Sequence, residues 1–462
     1  MNSKSFEEKE LKILRDSIDY ATNIVGKKLT QTEDVKKIID ILESFLRTHK
    51  TMCYGGTAVN NILPEQYRFY NRNIEIPDYD FFSPHAIDYA KKLADIYYKA
   101  GFTEVEAKAG IHTGTYKVFV NFMPIADITY LENKLFNNIY KKSIKVNAIN
   151  YCPPNYLRMA MYQELSRPMG DVTRWEKVLK RLILLNKNFP LKGISCNNQD
   201  FQRHYEGDLE ERNNIYNIAR TSFINQGLVF FGGYAASLYG KYMPRIEKKA
   251  IDSVPDFDIL SEKPQESALI LKEQLNYEGY KNVKINKKPA IGEYVDEHYE
   301  VVVNKDTIAI LYATNSCYSY NNIYLSNQKI KVASIDTMLY FYLIFIYANR
   351  PYLDENRLLC MAEYLFKVQL KNRLQQKGLL RRFSVTCYGK QKTLEDIRSE
   401  KAEAYREIIN KKISKNSVFY NEHFLRYIPS QKKQALEIKS RTLKNKNKKK
   451  SKKNLTRSNN KR

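Results

Sequence analysis

The sequence predicts an α/β (α+β) protein made of two tandem modules with mixed sheets. Short β-type runs alternate with helical segments, and the order of these elements returns once along the chain. With 462 residues, the chain is also too long for one ordinary core.

Residues 1–50 are expected to form a helical N-terminal segment, with amphipathic helices near Phe6–Ile24 and Thr32–His49. In the second, Val35, Ile38, Ile39, Ile41, Leu42, Phe45 and Leu46 recur at helical spacing. Residues 51–150 read as the first module. A strand at Thr51–Tyr54 runs into Gly55-Gly56-Thr57, which opens a helix. A strand ending in Pro77-Asp78-Tyr79-Asp80-Phe81-Phe82 follows, then a helix over Pro84–Ala100 and strands near Tyr116–Asn121 and Ile125–Tyr130. Residues 151–226 form a helical linker region. Residues 227–340 repeat the pattern: Leu228–Phe231 leads into Gly232-Gly233, and Pro255-Asp256-Phe257-Asp258 echoes Pro77-Asp78-Tyr79-Asp80. Ile330-Lys331-Val332 echoes Ile144-Lys145-Val146. Residues 341–435 are again helical. Residues 436–462 are a Lys/Asn/Ser tail with little apolar surface to bury, and disorder is expected there.

The net charge is +25, and from Lys439 onward there are twelve Lys and Arg and no acid, so the first 438 residues still carry +13. A basic body points to a polyanionic partner, nucleic acid first. The tail reads as an RNA-binding segment, an import signal or a solubilising end, with RNA binding favoured. The 36 tyrosines suit either core packing or base stacking and decide nothing alone. Cys53, Cys152, Cys196, Cys317, Cys360 and Cys387 form no Cys-x-x-Cys pair; reduced, buried thiols are expected rather than a zinc site or a disulfide framework. The N-terminus lacks an apolar signal core, and the longest apolar run, near Met338–Ala348, is too short to span a bilayer. A soluble protein is expected.

The chemistry is expected at Asp78, Asp80 and Asp127. On a strand, residues i and i+2 face the same way, so Asp78 and Asp80 can reach one hard cation. Asp127, flanked by Ile125, Ala126 and Ile128, would add a third carboxylate from an adjacent strand and complete a two-metal site. Gly55-Gly56-Thr57 would offer backbone N–H groups, and a hydroxyl, to phosphate oxygens. Each piece alone has a plainer reading: a tight turn, a solvated strand end or helix cap, a buried structural acid. Their order and spacing together are more specific. Aligning Ile125-Ala126-Asp127 with Ile308-Ala309-Ile310 puts Ile310 where the third carboxylate belongs, so catalysis is assigned to the first module. The second is read as a scaffold or RNA-binding copy. Asp306 substitutes only if that register is wrong.

At these residues the chain resembles the DNA polymerase beta-like nucleotidyltransferase superfamily. Met161–Pro168, Gly170-Asp171-Val172 and Arg174–Val178 resemble, more closely, the poly(A) polymerase catalytic subunits of large cytoplasmic DNA viruses, poxvirus-related and of mimivirus and megavirus type. The likeness runs from about Thr51 to Tyr352. It implies two nucleotidyltransferase-like modules, the second inactive, and transfer of AMP from ATP to RNA 3′ ends with two Mg²⁺ or Mn²⁺ ions. By this resemblance Asp78, Asp80 and Asp127 are metal ligands, Asp127 also helps deprotonate the 3′-hydroxyl, and Gly55, Gly56 and Thr57 bind the nucleotide. Giant-virus relatives act as homodimers and poxvirus relatives pair with a processivity subunit, so either partner is implied, with no membrane. Host cytoplasm and virion are the implied locations. A CCA-adding or oligoadenylate synthetase-like transferase, or a catalytically dead RNA-binding subunit, are the alternatives. Tyr79 and Trp175 are read as packing residues. Arg158, Arg167 and Lys177 are read as phosphate-contacting or, equally, as ion-paired or solvated.

Overall fold

The computed structural model describes residues 6–198, 201, 203, 205–243 and 257–430. The chain opens with α1 (Phe6–Thr30) and α2 (Glu33–Thr48). The Thr32 side chain caps α2 by accepting from the Val35 N–H, and Val35, Ile38, Leu42, Phe45 and Leu46 form its buried stripe.

Then come β1 (Met52–Tyr54), α3 (Gly55–Ile62), β2 (Tyr79–Ser83), α4 (Ala86–Lys99), β3 (Val105–Ala109), β4 (Thr115–Val120), β5 (Met123–Tyr130), α5 (Asn133–Tyr140), β6 (Ile144–Val146) and β7 (Ile149–Tyr151). Sequence patterning did not anticipate β3, whose Val-Glu-Ala-Lys-Ala run is short and half polar. The expected strand through Pro77 begins at Tyr79, because proline has no N–H to give to a ladder; Asp78 stands just before it.

The linker holds α6 (Pro154–Leu165), α7 (Trp175–Asn188) and α8 (Leu209–Asn225). The second module comprises β8 (Val229–Phe231), α9 (Gly232–Tyr239), β9 (Phe257–Ser261), α10 (Pro264–Tyr277), β10 (Val283–Lys288), β11 (His298–Val303), β12 (Asp306–Ala313), β13 (Tyr318–Leu325) and β14 (Gln328–Ala333). The C-terminal region adds α11 (Ile335–Phe345), α12 (Glu355–Lys371), β15 (Cys387–Tyr388), α13 (Leu394–Asn410), α14 (Val418–Phe424) and β16 (Arg426–Tyr427). Every residue of α11 is buried, and it packs against α6 and α12 at the centre of the molecule.

The expected α/β class is borne out by two eight-stranded mixed sheets, ordered β16-β3-β4-β5-β2-β1-β7-β6 and β10-β11-β12-β9-β8-β14-β13-β15. Seven strands correspond one to one. The correspondence corrects one echo. Ile330–Val332 lies in β14, which pairs in parallel with β8, whereas the strand parallel to β1 is β7, so its counterpart is Ile149–Tyr151 and not Ile144–Val146. The C-terminal region is not purely helical: β16 returns to the edge of the first sheet against β3, and β15 closes the edge of the second against β13.

The cysteine expectation is also corrected. Cys196 is joined to Cys360 and Cys317 to Cys387, while Cys53 and Cys152 remain free and buried. The partners lie 164 and 70 residues apart, a pairing that spacing cannot reveal. Many tyrosines prove to be core: Tyr79, Tyr97, Tyr156, Tyr162 and Tyr340 are fully buried. The basic tail and Asp256 lie outside the described residues.

Candidate active site

The site grows from the junction of β1 and α3. Gly55 has φ +72°, a left-handed conformation that lets the strand turn straight into the helix. An added Cβ there would stand 2.7 Å from Asp80 Oδ2, so only glycine admits the carboxylate this close. Among the described residues no side chain caps α3, which leaves its first N–H groups for another acceptor. The Thr57 hydroxyl donates to the Asp78 carbonyl at 2.5 Å and fixes the approach to β2.

Strand register assembles the acids. β1 pairs antiparallel with β2, placing Tyr54 opposite Asp80, and β2 pairs in parallel with β5, placing Asp80 opposite Asp127. The three carboxylates share one electrostatic environment. Burial, then Asp78, then Asp127 push the Asp80 carboxyl up to about 7. Burial and Asp127 also raise Asp78, against Lys117 and Lys177. Lys117, on β4 directly across from Asp127, places its Nζ 2.5 Å from Asp127 Oδ2.

Among the described residues no three His, Cys, Asp or Glu side chains stand together as an ion cage, and Asp127 is paired with Lys117. The donor chemistry still suits a hard divalent cation: the facing groups are carboxylates whose mutual repulsion shows in Asp80, and a cation relieves it.

Arg174 and Arg181 were not singled out from the sequence, whereas Lys177 was read there as phosphate-contacting or, equally, ion-paired or solvated. Arg174, the residue just before α7, and Lys177 and Arg181 within it recur at helical spacing. Arg174 acts electrostatically on Asp80 and Lys177 on Asp78. Arg181 bonds the Tyr70 hydroxyl at 2.5 Å, and both lie over Gly56, where an added Cβ would meet them at 2.7–2.8 Å. The i, i+3, i+7 spacing was the available signal.

Other expectations resolve plainly. Arg158 is fully buried, bonding Asn186 Oδ1 at 2.6 Å as well as Asn155 and the Phe189 carbonyl, so it is structural and meets no phosphate. Trp175 packs against Phe383 and donates to the Glu164 carbonyl. Tyr79 is core, its hydroxyl bonding Glu43.

The second module repeats the backbone without the trio. Gly232 also has φ +72°, Phe231 lies opposite Asp258, and Asp258 lies opposite the fully buried Ile310. Arg203 pairs with Asp258 at 2.8 Å. Asp306 sits at the start of β12, accepting from the Glu206 N–H, so it does not replace the missing acid.

Residues 40–171 match the family described as poly(A) polymerase catalytic subunit. The resemblance read from the sequence is thereby borne out over this part of the chain. A poly(A) polymerase catalytic subunit of Acanthamoeba polyphaga mimivirus is 30% identical over 190 residues, 40% of this chain and 32% of that protein. One from African swine fever virus is 28% identical over 174 residues, 36% of each chain. The chain thus matches about a third of the length of these relatives. The crystal structure of the Megavirus polyadenylate synthase superposes with a TM-score of 0.76 at 19% identity, covering 93% of this chain and 87% of that one. The fold is therefore that of the Megavirus enzyme.

Proposed function

We propose that this chain is a template-independent polynucleotide adenylyltransferase that adds AMP from ATP to RNA 3′ ends, as in mRNA polyadenylation. The observation that carries this reading is the register bringing Asp80 opposite Asp127 beside the Gly55 turn, with Ile310 in the equivalent place of the second module. In this reading residues 51–150 are catalytic and residues 227–340 are an inactive copy.

The Gly55 and Gly56 N–H groups at the start of α3 bind triphosphate oxygens. Asp127 orients the RNA 3′-hydroxyl and takes its proton as the oxygen attacks the α-phosphorus; the bond to the β-phosphate breaks and pyrophosphate leaves. Asp78, Asp80 and Asp127 would hold two Mg²⁺ or Mn²⁺ ions, which supply charge neutralisation to the reacting phosphates. Lys117, paired with Asp127 in this structure, would have to release that carboxylate for it to hold a cation. Arg174, Lys177 and Arg181 stabilise the negative charge near the turn.

The partners in this reading are ATP, an RNA 3′ end and a second copy of the chain. The apolar residues of α1 support the last, since Leu11, Leu14, Ile18 and Val25 recur at helical spacing along one face of this long helix and all are exposed, Val25 by 65%. Host cytoplasm and virion are the locations proposed. No described helix is long and apolar enough to cross a membrane.

The test is incubation of the full chain with a short RNA and each single nucleoside triphosphate. Long tails from ATP alone support the reading; equal use of CTP refutes it in favour of a CCA-adding type. Asp78→Ala with Asp80→Ala should abolish transfer without unfolding, whereas Asp256→Ala with Asp258→Ala should retain most of it. The reverse outcome would exchange the roles of the modules, and no transfer from any nucleotide would leave an RNA-binding subunit.

A further inference from the structure

A cavity of about 1230 Å³ opens between the two modules and the C-terminal segment 390–403, and continues the carboxylate face of the first sheet. Its floor contains Tyr54, Phe82 and Thr129. Tyr54 lies opposite Asp80, and Phe82 and Thr129 each stand two residues beyond a site acid on the same strand. On a strand such residues share a face, so this floor begins on the order of 7 Å from the carboxylates. Tyr54 and Phe82 are stacked with ring centroids 3.9 Å apart, and the Tyr54 hydroxyl is tied to Thr129 at 2.8 Å, which holds the aromatic ledge rigid.

Gln163 and Arg167 reach the same cavity from α6 and the turn after it, one helical turn apart. Arg167 bonds the Tyr318 hydroxyl at 3.1 Å and lies against the rings of Tyr318 and Tyr340, with no salt bridge among the described residues. Gln163 is half-buried. Its amide nitrogen makes one long bond, 3.4 Å, to the Tyr340 hydroxyl, and its amide oxygen has no partner among the described residues. A side-chain amide with both functions available, across from an aromatic ledge, is equipped to recognise a purine that offers an amino donor beside a ring-nitrogen acceptor.

We propose that this cavity binds the base of an adenine nucleotide, stacked on Tyr54 and read by the Gln163 amide, whose oxygen accepts from the 6-amino group while its nitrogen donates to the neighbouring ring nitrogen. Guanine presents an oxygen in place of the amino group and meets the amide oxygen as acceptor against acceptor. Uracil presents that pair reversed, with an oxygen and a ring N–H; cytosine offers the same pair on a single ring, so adenine is favoured over it by the larger face it stacks on Tyr54. Arg167, pinned by Tyr318 and Tyr340, buttresses the wall beside Gln163. The inference rests on the adenylyltransferase reading and deepens it. The adenine belongs either to incoming ATP or to the 3′-terminal residue of the RNA.

Equilibrium binding by calorimetry separates these sources. The full chain is titrated, with Mg²⁺, with α,β-methylene-ATP and its guanine counterpart, and separately with short RNAs ending in A or in G. Gln163→Leu should weaken the adenine ligand about tenfold or more, leave the guanine ligand within twofold, and leave thermal unfolding unchanged. Loss with the nucleotide analogue assigns the cavity to ATP; loss with the A-ended RNA assigns it to the primer. Tyr54→Leu should weaken adenine and guanine ligands together, since stacking is indifferent to base identity. If Gln163→Leu leaves both adenine ligands within twofold while the parent chain still transfers AMP, the cavity inference fails and the adenylyltransferase reading stands. If the parent chain neither binds adenine ligands nor transfers AMP, both fail.

Discussion

Asp80→Asn is the sharpest probe of how crowded the carboxylates are. Asp80 is half-buried, and burial together with Asp78 and Asp127 lifts its carboxyl to about 7. A raised acid costs stability as pH rises: the unfolded chain releases this proton near pH 4, the folded chain only near pH 7, and the penalty accumulates between them. The full shift corresponds to about 4 kcal/mol, and solvent access to the site lowers the expectation to about 2 kcal/mol. The near-isosteric Asn carries no such charge. In metal-free buffer, urea unfolding of the parent and variant at pH 5 and pH 8 should therefore show the stability difference moving in favour of Asp80→Asn by about 2 kcal/mol at the higher pH. Adding Mn²⁺ at pH 8 should stabilise the parent more than the variant, since only the parent keeps the complete donor set. A stability difference that is the same at both pH values would refute the idea that the three acids repel one another across the β2–β5 register.

Three further outcomes follow from the geometry. Gly55→Ala should cost about 1–2 kcal/mol in urea unfolding, because it forces a side chain into a left-handed position at φ +72° and against Asp80 Oδ2. Arg158→Met should cost about 3 kcal/mol in the same assay, since it leaves Asn155, Asn186 and the Phe189 carbonyl without their buried donor. Alkylation of the denatured chain followed by mass spectrometry should count two thiols, Cys53 and Cys152, before reduction and six after it.

Local patterning carried much of this fold. The helical stripe from Val35 to Leu46, the strand–Gly-Gly–helix junctions at Tyr54 and Phe231, and the repeated Asp-x-Asp all depend on neighbours within a few residues, which is the range over which periodicity and turn chemistry act. The repeat carried more: once two copies were aligned, placing Ile310 opposite Asp258 followed from counting along equivalent strands, and the register agrees.

Contacts between distant segments lay beyond that range. Lys117 is ordinary in its own strand and becomes Asp127's partner only through cross-strand pairing. Arg181 gains its place over Gly56 from the packing of α7 on α3. The cavity beside Gln163 exists because α6 and the second module close over the first sheet, and both disulfides and the return of β16 to β3 join residues far apart in the chain. Sequence spacing named the acids and the glycine turn because those motifs are local; their cation partners and neighbouring chamber were decided by how the two modules pack, since proximity across a fold is set by the summed burial of whole elements rather than by any one run of residues.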